Sequence, residues 1–262
     1  MFDTAPLRIA QITDTHLFAD ETEVSNGFQT ARSLQAVLER VAALSPRPDV
    51  LLLTGDLSQD ETLDSYRQLQ ARIAPLGIPA YWIPGNHDQY PALMEQALCA
   101  PPFSTQKCFQ QGRWNVVLLS SMLPNVVYGE LSLETLTWLE QQLQRAESLP
   151  TLVALHHPPL AIGSAWMDTI GLQNRGALFA VLDRHPQVKL VIFGHIHQDF
   201  DEWRGAVRYL GTPSTCVQFV PKGDRFGIDG DRQPGFRLIT LHRDGSYETQ
   251  VVRVEFAGIA QS

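Results

Sequence analysis

Cysteine is scarce in this chain. Only three of its 262 residues are cysteine, Cys99, Cys108 and Cys216, and their spacing is not that of a metal-binding motif. An odd number of cysteines without such spacing is typical of proteins from a reducing compartment. We therefore expect a cytoplasmic protein.

Long apolar runs are also missing. Runs such as residues 50–53 and 190–193 fall far short of the roughly 18 residues that a membrane-spanning helix needs. The N-terminus has no basic region followed by an apolar stretch, so we expect no signal peptide and no membrane association.

Positive charge is in the minority. The chain has 20 basic and 28 acidic residues, for a net charge of −8. A general nucleic-acid binder needs a basic surface for its phosphate contacts, so this balance argues against nucleic acid as a partner. A small anionic substrate is still compatible, because two divalent cations facing two carboxylates leave a site locally positive.

The length and the 44% hydrophobic content suit one large α/β domain, which we take as residues 1–262. The sequence leaves open whether the protein is a monomer or a homodimer. Predicted strands cover residues 7–13, 50–54, 80–83, 114–120, 151–155 and 189–193. Predicted helices cover residues 28–44, 61–76, 91–98, 133–146 and 176–185, the fourth with Ser132 as its N-cap. This β-α-β order favours a parallel sheet.

The pattern changes to strands and turns after His197. Arg204 and Gly205 join two short strands, and the turn at Asp244 and Gly245 predicts a hairpin between residues 236–241 and 247–256. We expect these last strands to form a second sheet that packs on the first.

Five short polar motifs each follow an apolar run. They are Asp14-Thr15-His16, Gly55-Asp56, Gly85-Asn86-His87-Asp88, His156-His157-Pro158 and Gly194-His195-Ile196-His197. Hydrolysis of a phosphate ester is catalysed by pairs of divalent metals held by carboxylates, imidazoles and amides. The carboxyl ends of parallel strands converge on one crevice, so these motifs predict a two-metal phosphoesterase site. The candidate ligands are Asp14, His16, Asp56, Asn86, His156, His195 and His197.

Spacing supports the same interpretation. Residues i and i+2 of an extended segment point to one side, so Asp14 with His16, and His195 with His197, should face one ion as pairs. An isolated DxH or GD is common and GNHD and GHxH are rarer, but five such motifs in this order are not expected by chance. Six of the eight histidines lie in the motifs, and we interpret the other two, His185 and His242, as ordinary surface or edge residues.

The motif order resembles that of the calcineurin-like metallophosphoesterase superfamily, from about Leu7 to about Cys216. Four further segments resemble the bacterial class III 3',5'-cyclic AMP phosphodiesterases: residues 129–131, 164–168, 194–198 and 212–219. This resemblance implies two stacked mixed β-sheets flanked by helices. It also implies hydrolysis of 3',5'-cyclic AMP, a small cyclic nucleotide, to 5'-AMP by attack of a metal-bridging hydroxide. A broader activity on 2',3'-cyclic nucleotides or glycerophosphodiesters is the alternative.

Roles transfer from the resembled family position by position. One metal is then held by Asp14, His16 and His197, the other by Asn86, His156 and His195, and Asp56 bridges them. The family pattern His-x-Pro selects His156 over His157 as the ligand, which leaves His157 to orient the true ligands. The metals could be Fe, Mn, Zn or Co, because this mixed donor set accommodates all four.

The resemblance makes His87 the catalytic residue. It would hydrogen-bond the phosphoryl oxygen and assist the leaving group, with Asp88 or Asp60 orienting its ring. Other substrate contacts would come from Asn86 and from loop residues that could instead only shape their loops. These loop residues are Asp168, Ser214, Thr215 and Gln218.

Two departures narrow the family. Purple acid phosphatases carry a tyrosine three residues after the bridging aspartate, where this chain has Gln59. Serine/threonine phosphatases carry GDxVDRG and GNHE, where this chain has GDLSQDE and GNHD. A ferric-tyrosinate centre and protein phosphatase activity are therefore disfavoured. A metal-free binding scaffold, found elsewhere in the superfamily, is disfavoured because all seven ligand positions hold competent residues.

Overall fold

The computed structural model describes residues 5–256. Its strands, in chain order, are β1 (Leu7–Ile12), β2 (Val24–Ser25), β3 (Phe28–Gln29), β4 (Val50–Thr54), β5 (Ala80–Ile83), β6 (Phe103–Ser104), β7 (Cys108–Gln111), β8 (Trp114–Leu118), β9 (Thr151–Ala154), β10 (Val188–Phe193), β11 (Phe200–Arg204), β12 (Val207–Gly211), β13 (Gly235–Leu241) and β14 (Tyr247–Arg253). Its helices are α1 (Thr30–Ala42), α2 (Leu63–Ile73), α3 (Pro91–Ala97), α4 (Leu133–Ala146), α5 (Ala165–Asp168) and α6 (Arg175–Leu182), with a 3₁₀ turn at Ala74–Leu76 after α2.

Most strands belong to two six-stranded mixed sheets. The first has the order β14-β13-β1-β4-β5-β6, and the second has the order β11-β12-β10-β9-β8-β7. Strands β1, β4, β5 and β6 run parallel, and so do β8, β9, β10 and β12. The remaining strands of each sheet pair antiparallel at its edges. Short strands β2 and β3 form a separate hairpin.

Strand β4 illustrates why the sheets stack. Its Val50 and Leu52 pack in a core that includes residues of both sheets, whereas Leu51 and Leu53 pack with helices α1, α2 and α3. Alternate residues of a strand point to opposite faces, so a strand that is covered on both sides is a nearly continuous apolar run. A third core joins the outer face of the second sheet to α4, α5 and α6. The predicted arrangement of two stacked mixed sheets flanked by helices is confirmed.

Local predictions were more accurate than the predicted assembly of the strands. Helix α4 has the predicted bounds, and the Ser132 hydroxyl caps it by accepting from the Thr135 amide at 3.0 Å. The predicted helix at 28–44 begins later, because residues 28–29 pair as a strand instead. Strands β6 and β7 and helix α5 were not predicted. The ends of the predicted domain, residues 1–4 and 257–262, lie outside the described residues.

The expectation that the last strands form the second sheet is wrong. The hairpin of β13 and β14 extends the first sheet, where β13 pairs with β1, and only β11 and β12 join the second. Strands β8, β9 and β10, which the β-α-β pattern suggested were a continuation of the first sheet, form the centre of the second. Doubly covered strands of both sheets are largely apolar, so composition does not reveal which sheet a strand joins. Within residues 5–256, no helix combines the length and apolarity required to span a bilayer.

Candidate metal centre

The two sheets meet at the carboxyl ends of five parallel strands. Residues after β1, β4 and β5 of the first sheet face residues after β9 and β10 of the second. The His195 amide donates to both carboxylate oxygens of Asp14 at 3.1 Å, and the His156 ring donates from Nδ1 to the Thr54 carbonyl at 2.7 Å. All seven candidate ligands are buried at this junction.

Asp14, His16 and His197 form the first trio. The Nε2 atom of His197 lies 3.3 Å from Asp14 Oδ1 and 3.2 Å from His16 Nε2. The other ring nitrogens are hydrogen-bonded outward, His16 Nδ1 to Gln59 Oε1 at 2.8 Å and His197 Nδ1 to the Val217 carbonyl at 2.9 Å. Metal-ligating histidines typically donate their second N–H in this way. The first trio therefore presents two lone pairs and a carboxylate to one point.

The second group contains His156, His195 and Asn86. The Nε2 atom of His156 lies 3.2 Å from His195 Nδ1. Asn86 follows β5, and its Oδ1 atom is buried without a hydrogen-bond partner among the described residues, as is His195 Nε2. Buried polar atoms are rarely left unpaired, so such atoms indicate a ligand.

Asp56 lies between the two groups. Its Oδ2 atom is 3.3 Å from His156 Nε2 and 3.9 Å from His16 Nε2, so one carboxylate oxygen faces a histidine of each group. Its Oδ1 atom accepts from the backbone amide of His87 at 2.8 Å. This is the position that a bridging carboxylate requires.

The protonation states suit metal ions. Burial lowers the pKa of His16 to about 3, and burial together with neighbouring imidazoles keeps the pKa of His195 well below its usual value. Burial alone would raise the pKa of Asp56, but nearby imidazoles, His156 foremost, hold it well below the usual range. For the His156 imidazole the effects are reversed: burial would lower its pKa, but the Asp56 carboxylate raises it to about 9. A divalent cation would replace the proton that His156 and Asp56 share. The donor set of imidazoles, ionised carboxylates and an amide fits two divalent metals.

The backbone at the candidate ligands is strained. Five of the seven have φ in the left-handed region: Asp14 (54°), His16 (46°), Asp56 (51°), His195 (68°) and His197 (49°). Such angles cost non-glycine residues roughly 1 kcal/mol or more and cluster at functional sites. Asp14 and His16 do lie in one group, but the expectation that His195 and His197 face one ion as a pair is wrong, because His197 lies with Asp14 and His16 whereas His195 lies with His156. The predicted extended backbone is wrong as well. Strands β1 and β10 end before these residues, and the left-handed turns direct the side chains.

Glycines of the motifs leave room for the ligands. A Cβ atom at Gly85 would lie 2.2 Å from Asp56 Oδ1, and one at Gly194 would lie 2.1 Å from Thr13 Oγ1 and 2.8 Å from Asp14 Oδ2. Such approaches are shorter than any real Cβ contact, so a side chain at either position would displace a carboxylate of the site.

Comparison with known proteins gives this arrangement a family. Residues 7–199 match the calcineurin-like phosphoesterase family. The chain belongs to that family. It is 49% identical to a 3',5'-cyclic-nucleotide phosphodiesterase of Nostoc sp., over 98% of this chain and 96% of the relative. It is 43% identical to the 3',5'-cyclic adenosine monophosphate phosphodiesterase CpdA of Pseudomonas aeruginosa, over 96% and 91% of the two chains.

A solved structure supports the fold. The dimetal phosphatase of Danio rerio superposes with a TM-score of 0.65 at 14% identity, covering 96% of this chain and all of that one. The sequence matches confirm the predicted family, and this superposition supports the predicted fold.

His87 stands at the open side of this phosphoesterase site. It is half-buried, and with Asn86 it lines a cleft that opens to solvent. The expectation that Asp88 or Asp60 orients it is wrong, because neither carboxylate contacts His87 in the described part of the chain. Asp88 is used to hold the turn, accepting hydrogen bonds from the amides of Leu57, Ser58 and Gly85 and from the hydroxyl of Tyr66.

Gln59 is a site residue whose role sequence reasoning missed. Its Oε1 atom accepts from His16 Nδ1 at 2.8 Å, and its Nε2 atom faces His87 Nδ1 at 3.5 Å. The amide therefore connects a candidate ligand to the candidate acid. The sequence offered one signal, the position three residues after Asp56, which we used only to exclude a tyrosinate.

The predicted substrate loops make mostly internal contacts. Asp168 accepts from the amides of Ile162 and Gly163, at 2.7 and 3.2 Å. The Ser214 hydroxyl donates to the Asp14 carbonyl at 2.7 Å, and Gln218 donates to the Ser214 carbonyl at 2.8 Å. Those three residues thus hold their loops in place.

Thr215 and His157 differ from the other predicted residues. The Thr215 hydroxyl is buried and has no hydrogen-bond partner within residues 5–256, so a nucleotide contact there stays a prediction. His157 has both ring nitrogens engaged, Nδ1 with the Ser121 hydroxyl at 2.8 Å and Nε2 with the Val127 carbonyl at 3.2 Å. Its neighbour His156 instead directs Nε2 toward Asp56 Oδ2, at 3.3 Å.

Proposed function

We propose that this phosphoesterase uses two divalent metal ions to hydrolyse 3',5'-cyclic AMP to 5'-AMP. The observation that carries the proposal is the Asp56 carboxylate, which faces a histidine of each ligand group. Relatives that are 49% and 43% identical over nearly the full chain, named as cyclic-nucleotide and cyclic AMP phosphodiesterases, support the substrate.

The ligands divide between two ions. Asp14, His16 and His197 would hold one, Asn86, His156 and His195 the other, and Asp56 both. When bound, such a pair places positive charge on phosphoryl oxygens and lowers the pKa of water to near neutrality. The unpaired Oδ1 of Asn86 supports its inclusion. The outward hydrogen bonds of His16, His197 and His156 hold each ring with Nε2 toward the ions.

His87 acts on the phosphoryl group from the cleft. With the Gln59 amide facing Nδ1, the ring carries its proton on Nε2. The Nε2–H group donates to the phosphoryl oxygen and then assists the 3'-oxygen as its bond to phosphorus breaks. The hydrogen bond from the His87 amide to Asp56 Oδ1 fixes the backbone of His87 relative to the bridging carboxylate.

Product analysis tests the proposal. Protein loaded in turn with Mn, Fe, Zn and Co is incubated with cyclic AMP, and the products are separated by chromatography. We expect 5'-AMP and no turnover by metal-stripped protein. Release of 3'-AMP would refute the 3'-oxygen as the leaving group. Hydrolysis of 2',3'-cyclic nucleotides or glycerophosphodiesters without turnover of cyclic AMP would establish the broader activity instead.

A further inference from the structure

An open cleft of about 470 Å³ begins at His87 and Asn86. It is also lined by residues 125–128, a segment that belongs to none of the five motifs. Ligand sites of a few hundred cubic ångströms accommodate small organic molecules, so the cleft has room for a nucleoside beside the phosphoryl position.

The segment presents apolar surface to this cleft. Val127 is 52% exposed and Tyr128 is 37% exposed. A single exposed apolar side chain is ordinary, but two adjacent ones that share a cleft with a catalytic histidine form a platform. Nucleobases have apolar π-faces that stack on aromatic side chains and pack against aliphatic ones.

Two side chains hold the segment against the metal site. Gln89 accepts from the Asn125 amide at 2.6 Å and donates to the Asn86 carbonyl. His157 hydrogen-bonds the Val127 carbonyl, and a Cβ atom at Gly129 would lie only 2.3 Å from its ring. Both contacts connect the segment to a candidate ligand. Gln89 hydrogen-bonds directly to Asn86, and His157 is the sequence neighbour of His156. The platform is therefore held in a definite position relative to the scissile phosphate.

We propose that Val127 and Tyr128 bind the nucleobase of the substrate and create the preference for nucleotides over other phosphodiesters. This proposal rests on the proposed function, because it concerns the same cleft. The metals and His87 contact only the phosphoryl group and its leaving oxygen, so they cannot select the base. Asp168 and Ser214 use their side chains to hold their loops in place, and Thr215 offers only a buried hydroxyl. Val127 and Tyr128 are the exposed apolar surface beside His87 on which the face of a base can pack.

Two substrates with one scissile bond test the platform. Cyclic AMP is compared with 1-O-methylribofuranose 3',5'-cyclic phosphate, which has the same cyclic diester and no base. Tyr128→Ala should lower kcat/KM for cyclic AMP about tenfold, mainly through KM, since one base–aromatic stack is lost. Its kcat/KM for the base-free substrate should stay within about twofold of wild type. Val127→Ser, which keeps the clamped carbonyl, should act in the same direction.

The control is Tyr90→Ala, because Tyr90 is 58% exposed and is not among the residues that line the cleft. It should leave the ratio of the two substrates unchanged. An equal loss on both substrates in Tyr128→Ala and Val127→Ser, with unchanged melting temperatures, would show that the segment only supports His87 and would overturn the proposal. Variants whose kcat/KM matches wild type on both substrates would overturn it too. Wild-type protein that cleaves neither cyclic phosphate would instead refute the proposed function.

Discussion

The ring of Phe219 lies stacked on the imidazole of His197, with centroids 4.0 Å apart and planes 9° from parallel. The same stretch of chain supplies the Val217 carbonyl that accepts from His197 Nδ1. Residues 217–219 therefore set both the plane of this candidate ligand and the nitrogen that it presents to the metal. Such supporting contacts commonly account for a measurable share of metal affinity.

Replacing that aromatic support should weaken metal binding. We expect Phe219→Leu to lower the affinity for Mn²⁺ about tenfold, because the imidazole can then rotate away from Asp14. Calorimetric titration of the metal-stripped protein measures this. Phe226→Leu is the matched control, since Phe226 packs edge-on against Phe219 but is 55% exposed and, within residues 5–256, its ring does not stack on His197. Equal affinities in the two variants would contradict the prediction.

Removal of the bridging charge should affect both metals at once. Asp56→Asn keeps an oxygen to accept from the His87 amide but loses the negative charge that faces His16 and His156. We expect activity to be abolished and bound metal, measured by elemental analysis, to fall for both sites. A variant that retains two metals and turnover would show that Asp56 is not the bridge.

His87 should separate catalysis from metal binding. His87→Ala is expected to keep its metals and to lose on the order of 10² to 10⁴ in kcat, the usual range for one acid–base group. Metal analysis and steady-state kinetics on one preparation measure both quantities. Loss of metal in this variant would make His87 a ligand.

Gln59 should affect His16 and His87 differently. Gln59→Glu keeps the acceptor for His16 Nδ1 but places a carboxylate near His87 Nδ1, which would favour the protonated ring and shift the pH–rate profile upward. Gln59→Leu removes both contacts, so we expect the affinity for metal to fall about tenfold. Profiles and affinities that match wild type in both variants would show that the amide is only a neighbour.

Glu140 on α4 should make stability depend on pH. Hydrogen bonds from Arg184 and then from His185, at 3.0 Å, hold the pKa of Glu140 below its usual value. A lowered folded-state pKa stabilises the protein above the unfolded pKa, and this contribution is lost as pH falls through the folded pKa. We expect Glu140→Gln to lower the free energy of unfolding by well under about 1 kcal/mol at neutral pH, since the pair is near the surface. Urea unfolding at about pH 5.5 and about pH 3.5 should show the difference shrinking at the lower pH. A difference that is equal at both pH values would contradict this.

Sequence reasoning recognised features that depend on a few neighbouring residues. The bounds of α4, the Ser132 cap and the hairpin turn at Asp244 follow from local periodicity and turn chemistry. It failed for the order of strands, because β10 and β4 are both largely apolar and only their pairing partners distinguish the two sheets.

For the candidate site, the sequence by itself determined the donor chemistry, because the metal preference of a carboxylate, imidazole or amide group depends on the group and not on the fold. Only the tertiary structure decided how those donors are oriented toward one another. The hydrogen bonds from the His195 amide to Asp14 and from His156 Nδ1 to the Thr54 carbonyl join residues that are 181 and 102 positions apart, at the ends of strands from different sheets. Contacts of that kind form only when the sheets pack together, so no local pattern in the sequence encodes them.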